Sequence, residues 1–167
     1  MSVNLSEISR DLVTAQIKAT IDTSLLQIRT LRADAYVETT PPKSYFIYAP
    51  AAGYQTPAVF TIVDRISFRE YQNGANFVTA VVNMSIFVLI EDRDLNHLVV
   101  KAERYQTALH QSLNQKTLVS HDNSLKIFIK IVDASFSDIY APKENTPSGM
   151  FRKEVHLTLE VQHYEQL

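Results

Sequence analysis

The sequence predicts an α+β fold: a mostly antiparallel sheet of about five strands with two helices packed on one face. Three observations carry that prediction. Two long segments repeat apolar residues at three- and four-residue spacings with no glycine or proline inside them. Several segments alternate apolar and polar residues with period two. The strands follow one another through a hairpin signal or loops, which favours antiparallel pairing with the helices on the apolar face. The predicted order is α-β-β-β-α-β-β, with a long projecting hairpin.

The first helix is read over 5–31. Asn4 is its N-cap, and Glu7, three residues on, is placed to reach back to it. Ile8, Leu12, Ala15 and Ala19 form one apolar stripe, and Ile17, Ile21, Leu25 and Ile28 a second. The stripe is therefore expected to move around the helix, as crossing a curved sheet requires. Between Thr39 and Pro57 the character changes: Pro41, Pro42, Pro50 and Pro57 alternate with Tyr45, Phe46, Tyr48 and Tyr54. Proline excludes a helix interior or central strand there, so 39–57 reads as an extended arm, with a short edge strand at 44–48. The arm either wraps its own domain or reaches a neighbour. Removing 39–53 is expected to weaken assembly more than folding.

A strand over 58–68 precedes Asn73-Gly74, a hairpin signal, and a long strand over 77–90. Val78, Ala80, Val82, Met84, Ile86, Val88 and Ile90 give that strand a core face, while Phe77, Thr79, Val81, Asn83, Ser85, Phe87 and Leu89 give a mixed one. Fourteen residues would span roughly 48 Å, so part of the hairpin is expected to project from the body. The second helix starts at Asp92 or Asp94 as N-cap and presents Leu95, Leu98, Val99, Ala102, Tyr105, Leu109 and Leu113 to the core, with Lys101, Glu103, Arg104 and Gln111 elsewhere. After a polar stretch over 114–124, a strand buries Leu125, Ile127, Ile129 and Ile131. A loop zone occupies 133–150. The last strand, 151–163, buries Val155, Leu157, Leu159 and Val161 and turns Glu154, His156, Thr158, Glu160 and Gln162 outward. The 167 residues read as a single domain, 1–167.

Composition excludes several functions. The three glycines, Gly53, Gly74 and Gly149, are too far apart to share a phosphate-binding loop, which rules out Walker-type and dinucleotide-binding fingerprints. With no cysteine there is no disulfide framework, zinc knuckle or thiol nucleophile. A net charge of −2 argues against a dedicated nucleic-acid binder. No apolar run is long enough to span a membrane, and the N-terminus lacks the basic and apolar regions of a signal peptide, so a cytosolic setting is expected.

Chemistry-bearing constellations are scarce. His97 and His110 fall on different faces of the second helix, and His156 and His163 on opposite faces of the last strand. Glu154 and His156 share a face, and Asp133 or Asp138 would have to add a third ligand to make a metal site; a solvated strand face explains them equally. His121-Asp122 and the serines form no catalytic signature. Lys126, Phe128 and Lys130 set two cations around a ring on one strand face, a pattern that suits single-stranded nucleic acid or a solvated edge. The expectation is no enzyme, no catalytic residue, no cofactor and no metal. What rises above background is apolar and aromatic material that cannot all face one core: Tyr45, Phe46, Tyr48, Tyr54, Tyr71, Phe77, Phe136 and Tyr140 are the candidate subunit or partner contacts, with Ile139 beside them. A homo-oligomer follows.

The chain resembles the tail-terminator proteins of long-tailed bacteriophages, the lambda-type family. The resemblance runs from about Leu5 to Glu165. Its carriers are the N-terminal helix, PAVFTIV at 57–63, the hairpin, the helix DLNHLVVKAERYQTALHQSL and the closing FRKEVHLTLEVQHYE. It implies a virion protein assembled in the host cytoplasm, forming a hexameric ring that caps the tail tube and meets the head connector. DNA would pass through the lumen without specific binding, with Lys126 and Lys130 as candidate lumen-facing cations. It carries no active site. A head-completion or neck adaptor has a related small architecture and is the nearest alternative; a ligand-binding or enzymatic module with a pocket between helix and sheet is the third.

Overall fold

A computed structural model describes residues 4–33, 39–48, 53–68, 78–121, 125–142 and 149–165. The elements are α1 (Leu5–Arg32), β1 (Ser44–Phe46), β2 (Ala58–Phe68), β3 (Val78–Asp92), α2 (Leu95–Leu113), β4 (Lys116–Val119), β5 (Leu125–Phe136) and β6 (Phe151–Glu165). The predicted order holds with one strand added, and the described strands form a six-stranded sheet in the order β1-β2-β3-β6-β5-β4. All pairings are antiparallel except β1 with β2.

Helix α1 begins as predicted: the Glu7 amide donates to Asn4 Oδ1 at 3.2 Å and Asn4 Nδ2 donates to Glu7 Oε2 at 3.0 Å. It ends where Ala33 takes a left-handed backbone and its N–H donates to the Arg29 carbonyl. The register of the stripe is corrected, while its four-residue steps still carry it around the helix. Ala15 and Ala19 are exposed, and one stripe runs the helix length through Ser9, Val13, Ile17, Ile21, Leu25 and Ile28. Ser9 hid that register, because a polar residue occupies the first core position. There its Oγ lies 2.6 Å from Nε2 of His163, also fully buried, so each gives the other a hydrogen-bond partner inside the core.

Helix α2 is capped by Asp94, which accepts from the His97 amide. Of its predicted core face, Leu98, Ala102, Tyr105, Leu109 and Leu113 are buried, but Val99 is only half-buried, Leu95 is 44% exposed and Arg104, read as outward, is buried. The stretch after α2 is not irregular throughout. Gln115 takes a left-handed φ of 56°, which turns the chain tightly enough for 116–119 to pair with β5. A four-residue strand of Lys, Thr, Leu and Val is too short to show a period in sequence.

The loop zone also begins later than read. Strand β5 continues to Phe136, past an irregularity between Ile131 and Asp133, and pairs with β6 as far as Val155. Irregular chain follows from 137, tied back by the reciprocal backbone bonds between Tyr140 and Arg152. The length of β3 that suggested projection is taken up by the equally long β6 beside it; the hairpin tip at 69–77 lies outside the described residues. Helices α1 and α2 lie on one face of the sheet. Val59, Val82, Met84, Ile86, Val88, Ile127, Ile129, Leu157 and Val161 are buried with them in one core cluster.

Part of the arm wraps its own domain. Tyr45 packs at the edge of the main core under the Lys18 ammonium, which sits 4.9 Å above its ring, and the buried Tyr105 hydroxyl donates to the Thr40 carbonyl. Deleting 39–53 would therefore damage the core, and the expectation that it acts mainly on assembly is revised.

Candidate interaction surface

The other face of the sheet carries no helix. Strand register places its residues in rows. One row runs Phe46, Phe60, Phe87, His156 and Ser135 across five strands. Phe46 and Phe60 stack at 5.6 Å, Tyr54 meets both rings edge-on, and Phe87 and His156 stack at 4.2 Å with planes 9° apart. With Ala58 and Leu89 this makes a second, smaller apolar cluster, covered by the arm. The next rows are polar: Ser85 donates to Asp64 Oδ2 at 2.6 Å, and Asn83, Glu160 and Lys130 follow in register. Further along come Val81, Gln162, Phe128 and Thr117, then Tyr164, Lys126 and Val119.

The predicted contact residues separate in this frame. Tyr45, Phe46 and Tyr54 are half-buried against their own domain, whereas Tyr48 is 61% exposed beyond the end of β1. Phe136 and Tyr140 are exposed at the far end of β5 and in the segment after it, with the Lys153 ammonium 5.7 Å from the Phe136 ring. Tyr71 and Phe77 lie outside the described residues. Lys126 and Lys130 share the open face; Lys130 is exposed opposite Glu160, and Lys126 is half-buried between Val119 and Tyr164.

Sequence reasoning missed further exposed apolar side chains: Ile47, Phe68, Val119 and Val132, together with Leu26 and Leu31 on α1. Phe68 and Val119 end short or alternating segments, where periodicity assigns a residue to the core by default. Val132 lies at the irregularity in β5, which no pattern in the sequence marks.

At one end of the sheet, charge is well organised. The Arg152 guanidinium donates to Glu91 Oε1 at 2.5 Å, and Thr56 donates to Oε2 of the same carboxylate at 2.9 Å. Lys101 donates to Asp92 at 2.5 Å. Burial pushes the Asp92 carboxyl upward, but the Lys101 ammonium and the Asp94 amide outweigh it and hold the group below its ordinary value. These contacts fasten β3, β6 and α2 together and leave the carboxylates occupied by the protein itself.

Catalytic geometry is wanting among the described residues. No group of three or more histidine, aspartate or glutamate side chains converges to hold a metal ion. The Ser9–His163 pair has a nucleophile and a base in contact, but both are sealed from solvent, and burial pushes the His163 imidazole down to about 4, so the ring is neutral at physiological pH. Burial also drives the Tyr45 phenol up to about 12, with Asp22 adding to it. An open groove of about 450 Å³ between α1 and α2 is lined by Gln16, Thr20, Ser24, Gln111, Ser112 and Lys116, amides and hydroxyls with a single cation. His121 is exposed, and Asp122 beside it lies outside the described residues. No helix among the described residues is long and apolar enough to cross a membrane.

No protein-family model and no curated protein matches the chain. Among solved structures, a chain from the virion of a native gene transfer agent particle is similar at 18% identity. The match covers 90% of this chain and 97% of that one, with a TM-score of 0.39.

Proposed function

We propose that this chain is a structural subunit of a phage-like virion, a tail terminator that caps the finished tail tube as a hexameric ring and joins it to the head connector. The observation that carries the reading is where exposed apolar side chains lie. Ile47, Tyr48, Phe68, Val119, Val132 and Phe136 sit on the outer strands of the sheet and their immediate extensions, against Leu26, Leu31 and Leu95 on the helices, while the helix-covered core around Met84 and Tyr105 is closed. Apolar surface placed on strand edges belongs to a protein that associates. The tail-terminator resemblance from Leu5 to Glu165 supplies the assembly. The similar chain in the gene transfer agent virion agrees in kind and adds no weight.

In this role the protein needs no catalytic residue, cofactor or metal, and it works through surfaces presented to copies of itself, to the tube protein and to the connector. DNA passing the ring would meet Lys126 and Lys130 among acidic and neutral neighbours, which suits sliding better than gripping, because each strong phosphate contact adds affinity and salt dependence.

The test is polymerisation of the cognate tube protein with and without the purified chain. Tubes of defined length with the chain present, and overlong tubes without it, are expected. Tubes of the same length either way, with the chain bound to the connector alone, would favour the neck-adaptor reading instead.

A further inference from the structure

The outline of the sheet is stepped. At one edge, β1 covers only Ala58–Phe60 of β2, so β2 has no described outer partner over 61–68. At the opposite edge, β4 covers only Lys126–Ile129 of β5, so β5 has none over 130–136. The register through β3 and β6 puts the two open stretches at diagonally opposite corners. Phe68 lies in the rows at the Gln162–His163 end of β6, and Phe136 lies opposite Val155 near its other end. Each short outer strand thus stands at the corner where the other edge is open.

We infer that a second copy of this chain fills these steps head to tail, so that the sheet runs on from one subunit into the next. Laying one copy's β4–β5 edge against the next copy's β1–β2 edge sets β1 of the second antiparallel along residues 130–136 of the first. It also sets β4 of the first parallel along 61–68 of the second. Both open stretches gain backbone hydrogen bonds in a single contact, and a copy of this chain is a partner that carries both matching steps. Exposed side chains fall along the joined edges: Ile47 and Tyr48 follow β1 and come beside Val132 and Phe136, and Val119 at the end of β4 comes to the row next to Phe68, one on each face of the sheet. The exposure of every residue from Val132 to Phe136 marks a strand end that its own fold leaves uncovered on both faces. Because the contact joins two different edges, it repeats around a ring and leaves no strand edge open once the ring closes.

The inference deepens the ring reading above and rests on it only for the number of copies. Two single-edge variants test it, Val132→Glu on one edge and Tyr48→Glu on the other, both at exposed positions, with circular dichroism confirming the fold. Light scattering is expected to give a closed oligomer for the wild type, a 19.0 kDa monomer for each variant alone, and a dimer of twice that mass when the variants are mixed, since one intact edge of each kind remains. Variants that keep the wild-type mass, or a mixture that stays monomeric, overturn the head-to-tail contact; a single variant that dimerises by itself overturns it too, because like edges would then be pairing. Tube capping by the wild type, measured in parallel, reports on the virion reading by itself. Capping without edge dependence sinks the contact and spares the reading, and edge-dependent assembly without capping does the reverse.

Discussion

Strands β3 and β6 show two different surfaces to the two sides of the sheet. Toward the helices, Val82, Met84, Ile86, Val88, Val155, Leu157, Leu159 and Val161 are all fully buried aliphatic or methionine side chains. Toward the open side the same strands carry Asn83, Ser85, Phe87, His156, Thr158 and Glu160, with an aromatic patch at one end and polar rows beyond it. Adjacent residues thus answer to different physics. The helix side is held by area removed from water and close packing. The open side is held by ring stacking and single hydrogen bonds, interactions worth about 1 kcal/mol each. Stability resides mainly in the first surface, and the second and its edges carry fewer of the contacts that hold the fold.

Substitutions at neighbouring positions should expose that contrast. The largest expected effect is Leu157→Ala at the centre of the helix side, which should cost about 3 kcal/mol in urea unfolding by lost transfer energy and the cavity left behind. A loss under about 1 kcal/mol would mean that this face is loosely packed.

Next comes pH. The folded His163 titrates near 4 against an ordinary 6.5, so the unfolded chain binds the extra proton between those values. Stability from this group is complete above about pH 6.5 and declines as the pH falls toward 4, by up to about 3 kcal/mol. His163→Gln should remove that part of the slope in urea titrations run at several pH values; an unchanged slope would assign it to other groups.

On the open side, Phe46→Ala should cost about 1–2 kcal/mol, since the ring is half-buried and its contacts are with Phe60, Tyr54 and Tyr48. The smallest effect is expected for Thr158→Ala, one residue from Leu157, which should stay within about 0.5 kcal/mol of wild type. If Thr158→Ala cost as much as Leu157→Ala, the open side would be a second core and the contrast would fail.

Much of this was legible in the chain because alternation and helical period report burial directly. Val155, Leu157, Leu159 and Val161 announce the core side of β6 with no ambiguity, and Asn4 and Asp94 announce the helix starts through the orphan amides of Glu7 and His97 that they satisfy. The misses share a cause: each turns on a partner remote in sequence. Ser9 is a core residue only because His163 arrives 154 positions later. Strand β4 exists because Gln115 turns the chain back onto β5. Of the candidate contacts, Tyr48, Phe136 and Tyr140 are exposed, whereas Tyr45, Phe46 and Tyr54 were drawn inward by Tyr105, Lys18 and Phe60. An aromatic-rich arm looks the same in sequence whether it wraps its own domain or a neighbour.

Whether the sheet edges and the open face serve self-assembly is decided by the mass of the purified chain in solution across a wide concentration range. A single closed oligomer of fixed copy number is predicted, reached at the higher concentrations or on adding tail tubes. A 19.0 kDa monomer at every concentration, with tubes present as well as absent, would contradict it.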